Sequence, residues 1–329
     1  MEPSDVTSVS FHGTLVASEQ FSCFVTAKLR QIFELLLYSS VYVGGMAFAM
    51  AYASCYIQNL PWNLPVAIVL SLVVFSVYNL NRKTDVAEDA LNHGKRYSVT
   101  SRFGRPLFLA ALVAYTGALI IAANAGPASA LLAAVPLVSG IIYSVPLFPQ
   151  FCRYRRLKEI PAIKNIVVAG AWALSFSLLP AFLTGSHPDI SSLIVFALIF
   201  GYVFIATVLP DIRDREGDAS TRVYTIPVIL GVERTRIFLT AFNFIMAILI
   251  MSLGFSHLSP AVLVVLIISF AYTQICILSI GQSRTDDFLV DVISDGQFLL
   301  IGALCFILNS GFLSPARIFF SFPMFPWVI

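Results

Sequence analysis

The chain has 329 residues, 58% of them hydrophobic and only 12% charged, with a net charge of +2 and a mean hydropathy of +0.86. Soluble domains carry about 25% charged residues, so a water-soluble globular enzyme is excluded and an integral, multi-pass membrane protein is expected. Nucleic acid is not an expected partner.

In chain order, residues 1–27 are rich in Ser and Thr and lack a basic start before an apolar run, so they read as a flexible or interfacial tail rather than a cleaved signal. Spanning helices need about 20 mostly apolar residues. Between Glu34 and Arg82 lie 47 uncharged residues, and the same number separates Arg105 from Arg153 and Arg236 from Arg284. Each run accommodates two spans and a tight turn. The turns are marked by the breaker clusters Asn59-Leu60-Pro61, Asn124-Ala125-Gly126-Pro127 and His257-Leu258-Ser259-Pro260. A fourth hairpin is expected around Gly185-Ser186-His187-Pro188-Asp189, and a ninth span from Gly296 to Ala316, entered from about Phe288. The expected domain is therefore an all-α transmembrane unit over residues 28–316, nine helices around a central cavity. Residues 317–329, aromatic and proline-broken, form an interfacial tail.

With the N-terminus cytoplasmic, nineteen of the twenty Lys and Arg residues fall in cytoplasmic segments, Arg317 being the exception. That asymmetry satisfies the positive-inside rule and places two acidic clusters on the same side. The five cysteines show no ligand spacing and read as apolar packing residues.

Seven of the eighteen acids gather in those clusters: Asp85, Glu88 and Asp89 at the end of one apolar run, and Asp211, Asp214, Glu216 and Asp218 at the end of another. Asn81, Asp85 and Asp89 are spaced i, i+4, i+8, which lines them along one helix face at about 6 Å intervals. Asp214 and Asp218 repeat the i, i+4 relation. Carboxylates packed this closely beside hydrocarbon repel one another and resist desolvation; a bound cation removes both costs. Magnesium suits such a site, because it takes oxygen ligands and is commonly held by a few carboxylates together with substrate phosphates. The competing reading is of solvated loops in which the acids pair with Arg82, Lys83, Arg213 and Arg215. Arg96, Lys158 and Lys164 are candidates for contacting diphosphate oxygens, Lys158 and Lys164 because they flank Pro161 just before a span.

On these residues the chain resembles the UbiA superfamily of intramembrane prenyltransferases. The resemblance covers the chain from about residue 30. It rests on Asn81-Arg82-Lys83-Thr84-Asp85-Val86-Ala87-Glu88-Asp89 as a first motif, Asp214-Arg215-Glu216-Gly217-Asp218 as a second, and Thr225-Ile226-Pro227-Val228-Ile229-Leu230-Gly231 downstream. Arg82 stands where the family usually has its first aspartate. The resemblance implies magnesium-dependent transfer of a polyprenyl group from an allylic diphosphate to a lipophilic acceptor, which is an aromatic quinone precursor, an ether-lipid glycerol phosphate, or a tetrapyrrole or carotenoid. It implies Asp85, Asp89, Asp214 and Asp218 as catalytic, and Asn81, Asp85, Asp89, Asp211, Asp214 and Asp218 as metal ligands. Asn81, Arg96, Lys158 and Lys164 would bind the diphosphate. Partners are then the donor, the acceptor and membrane lipids.

Aromatic faces stabilise cations, which makes Tyr78, Tyr143, Tyr202 and Phe204 candidates for facing an allylic cation. Glu88 and Glu216 are further acidic candidates. Asp287, Asp291 and Asp295 run i, i+4, i+8 into the last span, where an ionisable residue at membrane depth marks a site; Asp295 is the strongest of the three. A terpene cyclase of the same superfamily, a cation-coupled transporter and a catalytically silent scaffold are the alternatives. Transporters place such charges near mid-membrane on broken helices, whereas both main clusters here sit at span ends.

Overall fold

The computed structural model describes residues 28–84, 94–144, 157, 160–220, 223–281 and 288–310. All regular structure among them is helical. In chain order the helices are α1 (Lys28–Tyr38), α2 (Val41–Ile57), α3 (Leu64–Thr84), α4 (Gly94–Ala125), α5 (Pro127–Ser144), α6 (Ile163–Leu183), α7 (Ile190–Arg213), the short α8 (Arg215–Ser220) and α9 (Ile226–Leu230), α10 (Val232–Gly254), α11 (Pro260–Ser279), a π-helical turn at Leu289–Ser294, and α12 (Gln297–Asn309). Seven of the described spans are long and apolar enough to cross a membrane, eight if the bent pair α1–α2 counts as one, and Pro127–Ile142 is a shorter apolar helix. The expected apolar segments correspond in order to α1–α2, α3, α4, α5, α6, α7, α10, α11 and α12, the last described only as far as Ser310, and the two expected terminal tails lie outside the described residues.

The expected turns carry the breaks. Gly126 adopts φ 131° and Asn59 φ 52°, left-handed values that suit Gly and Asn. Ser259 caps α11 by accepting from the Val262 amide at 3.3 Å. Asp189 caps α7 through a capping box with Ser192, and the Ser191 hydroxyl and amide hold its carboxyl below the usual carboxylate range.

Consecutive spans pack on one another, and α12 returns to lie along α2, so the bundle closes into a ring with α2, α3 and α6 also meeting across its interior. The return is close: a Cβ on Gly302 would lie 2.7 Å from the Cβ of Ala49 on α2. Gly302→Val is therefore expected to force the two helices apart and cost about 1–3 kcal/mol, read as a lower unfolding midpoint of the full chain in detergent. An unchanged midpoint would refute the close-packing account.

One break was not legible in the sequence. α1 and α2 meet at 67°, at Ser40 with φ 67°, where neither Gly nor Pro stands. Residues of α3 hold this corner: Asn79 Nδ2 donates to the Ser39 carbonyl at 3.0 Å, and the Arg82 guanidinium donates to the Tyr38 carbonyl at the end of α1. Backbone groups freed at membrane depth need such partners. At the opposite end of the bundle, Ser54 donates to the Phe176 carbonyl (2.6 Å), Gln58 to Ser54 (2.8 Å) and Ser192 to Gln58 (2.6 Å), tying α2, α6 and α7 together.

Candidate active site

Two adjoining cavities occupy the interior. The first, of about 280 Å³, is walled by α1, α2, α3, α5, α6 and the π-helical segment, with Asn81, Arg82, Ser139, Asp291 and Asp295 as its polar lining. The second, of about 90 Å³, is lined by Met46, Met50, Val74, Phe176, Ile199, Val203 and Phe298. Val43, Tyr78, Trp172 and Asp295 line both. A polar chamber thus adjoins a largely apolar one, with two aromatic rings and one carboxylate at the seam. Tyr78 and Trp172 stack with ring centroids 6.5 Å apart.

The second acidic motif lies beside the first chamber. Arg213, at the end of α7, forks onto Asp214 (Nε–Oδ1 2.9 Å, Nη2–Oδ2 3.2 Å) and reaches Asp291 through Nη1 at 3.1 Å. That guanidinium links the motif to a residue lining the cavity. Asp211 is buried and accepts from Lys164 at 2.7 Å and from Asn165 at 3.4 Å. The competing sequence reading is realised for Asp214, which pairs with Arg213, whereas Asp211 is buried against Lys164, a partner that reading did not name. Arg215 and Glu216 form a loose 3.8 Å pair in which Glu216 is almost fully exposed. Burial, with the negative charges of Asp211 and Asp214 nearby, pushes the Asp218 carboxyl up to about 6.

Asp85, Glu88, Asp89, Asp287 and Lys158 lie outside the described residues, as do the side chains of Arg96 and Tyr143. Among the described residues no group of three His, Cys, Asp or Glu side chains is gathered for a metal ion. The donor chemistry still fits a hard cation, because the described cavity lining offers amide and carboxylate oxygens and no thiol or imidazole.

Two aromatic candidates are corrected. Tyr202 is buried against Phe270 at 5.4 Å and Phe204 against Phe242 at 4.9 Å, and neither lines either chamber; both sit on faces of α7 turned into helix packing. Trp172 was missed. Its signal was available, since it stands two helical turns beyond Lys164 in the same span. Of the acidic trio, Asp287 lies outside the described residues; Asp291 falls within a π-helical turn at Leu289–Ser294 and Asp295 just after it, and both line the first chamber. Cys55, Cys276 and Cys305 are buried thiols, in keeping with packing.

Residues 41–294 match the model of the UbiA prenyltransferase family, and the chain belongs to that family. It is 27% identical over 199 residues to digeranylgeranylglyceryl phosphate synthase of Methanoculleus marisnigri, covering 60% of this chain and 67% of that one. Its fold is similar to that of a UbiA homologue from Archaeoglobus fulgidus bound to GPP and Mg2+ (TM-score 0.61, 20% identity, 84% of this chain and 99% of that one). It is also similar to the apo structure of a UbiA homologue from Aeropyrum pernix K1 (TM-score 0.54, 16% identity, 83% and 97%). The chain is a membrane-embedded prenyltransferase by family.

Proposed function

We propose that this protein transfers a polyprenyl group from an allylic diphosphate to the glycerol-phosphate hydroxyl of an ether lipid, in a magnesium-dependent reaction inside the membrane, with its acidic loops on the cytoplasmic side. The observation that carries the reading is the paired chamber: a polar compartment lined by Asn81, Arg82, Asp291 and Asp295 adjoins an apolar one lined by Met46, Met50 and Phe176. A substrate with a charged head and a hydrocarbon tail has the matching polarity. Each tail methylene removed from water contributes about 0.8 kcal/mol, and a helix-walled chamber limits the hydrolysis that competes with transfer. The Methanoculleus relative supports the ether-lipid acceptor over the aromatic and tetrapyrrole classes, since its name specifies a glyceryl phosphate carrying two geranylgeranyl groups.

Magnesium would be held by Asn81, Asp85 and Asp89 on one side and Asp214 and Asp218 on the other, with Asp211 behind them, and when bound it would supply positive charge to the departing diphosphate. Arg96, Lys158 and Lys164 are assigned to the diphosphate oxygens. Lys164 is kept in place by Asp211, which fixes its ammonium at the start of α6. Tyr78 and Trp172 line the chamber seam, where aromatic rings favour an electron-deficient allylic carbon.

Asp218 makes the reading pH-sensitive. An ordinary aspartate is ionised throughout the range from pH 5 to 7, but a carboxyl raised to about 6 takes up a proton as pH falls through that value, and the protonated form does not bind a cation. Magnesium-dependent thermal stabilisation of the full chain is expected to weaken between pH 7 and pH 5, and to do so less in Asp218→Asn. A flat pH response in the parent protein would count against Asp218 as a ligand.

The test of the activity uses purified protein in nanodiscs with magnesium, labelled geranylgeranyl diphosphate and geranylgeranylglyceryl phosphate, products being read by mass spectrometry. Digeranylgeranylglyceryl phosphate is the expected product. Prenyl alcohol or a cyclised hydrocarbon as the sole product would replace this reading with hydrolysis or cyclisation.

A further inference from the structure

Asp295 differs from the other acids around the chambers in three respects. First, its neighbours have cationic partners: Asp211 has Lys164, while Asp214 and Asp291 share Arg213. The Asp295 carboxylate has no hydrogen bond or ion pair among the described residues, although Arg213 lies within electrostatic reach. Second, among the described residues it is the one carboxylate that lines both chambers, at the seam where a substrate's polar head would give way to its tail. Third, its backbone is held from two sides. Tyr42 on α2 donates to the Val292 carbonyl at 2.9 Å, and Tyr272 on α11 donates to the Ile293 carbonyl at 2.7 Å. At the next residue, a Cβ on Gly296 would lie 2.9 Å from the Val292 carbonyl oxygen. A π-helical turn is rare and occurs often at functional sites; here it is held by two tyrosines and a glycine, and it brings to the seam a carboxylate with no hydrogen-bond or ion-pair partner among the described residues.

The geometry points to Asp295 as the proton acceptor for the incoming nucleophile, an inference that rests on the proposed prenyl transfer. In that step the bond between the allylic carbon and the diphosphate oxygen breaks, its electron pair leaving with the diphosphate. The acceptor hydroxyl oxygen forms the new ether bond with a lone pair, and its proton passes to an Oδ atom of Asp295. The neutral carboxyl returns that proton to water in the polar chamber after the product departs. Asp291 is not placed for this role, because Arg213 holds its carboxylate.

The experiment compares Asp295→Asn, Asp295→Glu and Asp295→Ala with the parent protein, using geranylgeranyl diphosphate and geranylgeranylglyceryl phosphate. Transferred prenyl group, prenyl alcohol, binding of a non-hydrolysable thiolodiphosphate donor analogue and the unfolding midpoint are all measured. General-base loss is worth about 10²–10⁴-fold, so the ratio of transfer to hydrolysis is expected to fall about 100-fold or more in Asp295→Asn with donor-analogue binding retained. Asp295→Glu or added formate on Asp295→Ala is expected to restore part of it. The inference is overturned if Asp295→Asn keeps the parent ratio, if transfer and hydrolysis fall together, as for a carboxylate that only steadies the allylic cation, if donor binding or folding is lost, or if neither glutamate nor formate restores transfer. A parent protein that transfers nothing to this acceptor would defeat the proposed function itself, a result distinct from any of these.

Discussion

Asp85→Ala and Asp214→Ala are each expected to lower magnesium-dependent prenyl transfer by about 10²–10³-fold, the range for removing one preorganised group that stabilises charge in a transition state. The expected origin is the same on both sides of the substrate: each carboxylate contributes to the cation binding that neutralises diphosphate as it leaves. Because the two act as a unit, the double variant should lose little more than either single one. Folding is not the cause in Asp214→Ala, since Arg213 keeps its second partner, Asp291, at 3.1 Å. Initial rates across a magnesium series, with unfolding midpoints as the control, decide it. A variant that retains a tenth of the parent rate at saturating magnesium would remove its aspartate from the metal site.

Arg213→Ala is expected to be the most destabilising single change at the site, at about 3–5 kcal/mol, because removing one member of a buried ionic group strands its partners. Here two carboxylates lose the guanidinium they share. The Arg213 side chain is only 11% exposed and serves Asp214 and Asp291 together. Lysine should recover only part of the loss, since a single ammonium cannot reproduce a fork that addresses three carboxylate oxygens. Adding Asp214→Ala to Arg213→Ala should return some stability by removing one stranded charge, which a double-mutant cycle measures directly. Unfolding free energies from SDS titration in mixed micelles provide the numbers. A cost below about 1 kcal/mol for Arg213→Ala would mean that water or rearrangement relieves both carboxylates, and the pairing would then be incidental.

The helices were legible because their signal is one-dimensional: hydrocarbon demands about 20 apolar residues, and Asn59, Gly126, Asp189 and Ser259 carry their turn chemistry in their own side chains or backbone freedom. The corner between α1 and α2 was hidden for the complementary reason. Its partners, Asn79 and Arg82, come from the next helix, and nothing local at Ser39-Ser40 marks it. Arg82 illustrates the limit well. As a motif position it is a departure from the usual aspartate, whereas in space it satisfies a carbonyl at a helix end and lines the polar chamber. The clustering of acids by helical spacing found Asp211, Asp214 and Asp218, yet spacing could not reveal that Lys164, 47 residues away, is bound to the first of them. In the last span the i, i+4 spacing pointed to Asp291 and Asp295, which line one chamber, but spacing could not show that Arg213, 78 residues before Asp291, holds that carboxylate.

That turn also sets where the chain can drift. Tyr42 and Tyr272 grip carbonyl oxygens, which every amino acid presents alike. The two hydrogen bonds of the mount therefore place no demand on the side chains at 292 and 293, and what constrains Ile293 is its packing against the buried cluster that includes Phe204, Ile277 and Val290. Sensitivity to substitution is displaced from the turn onto helices 250 and 21 residues away in sequence, where loss of a single hydroxyl would be felt by a segment it does not border.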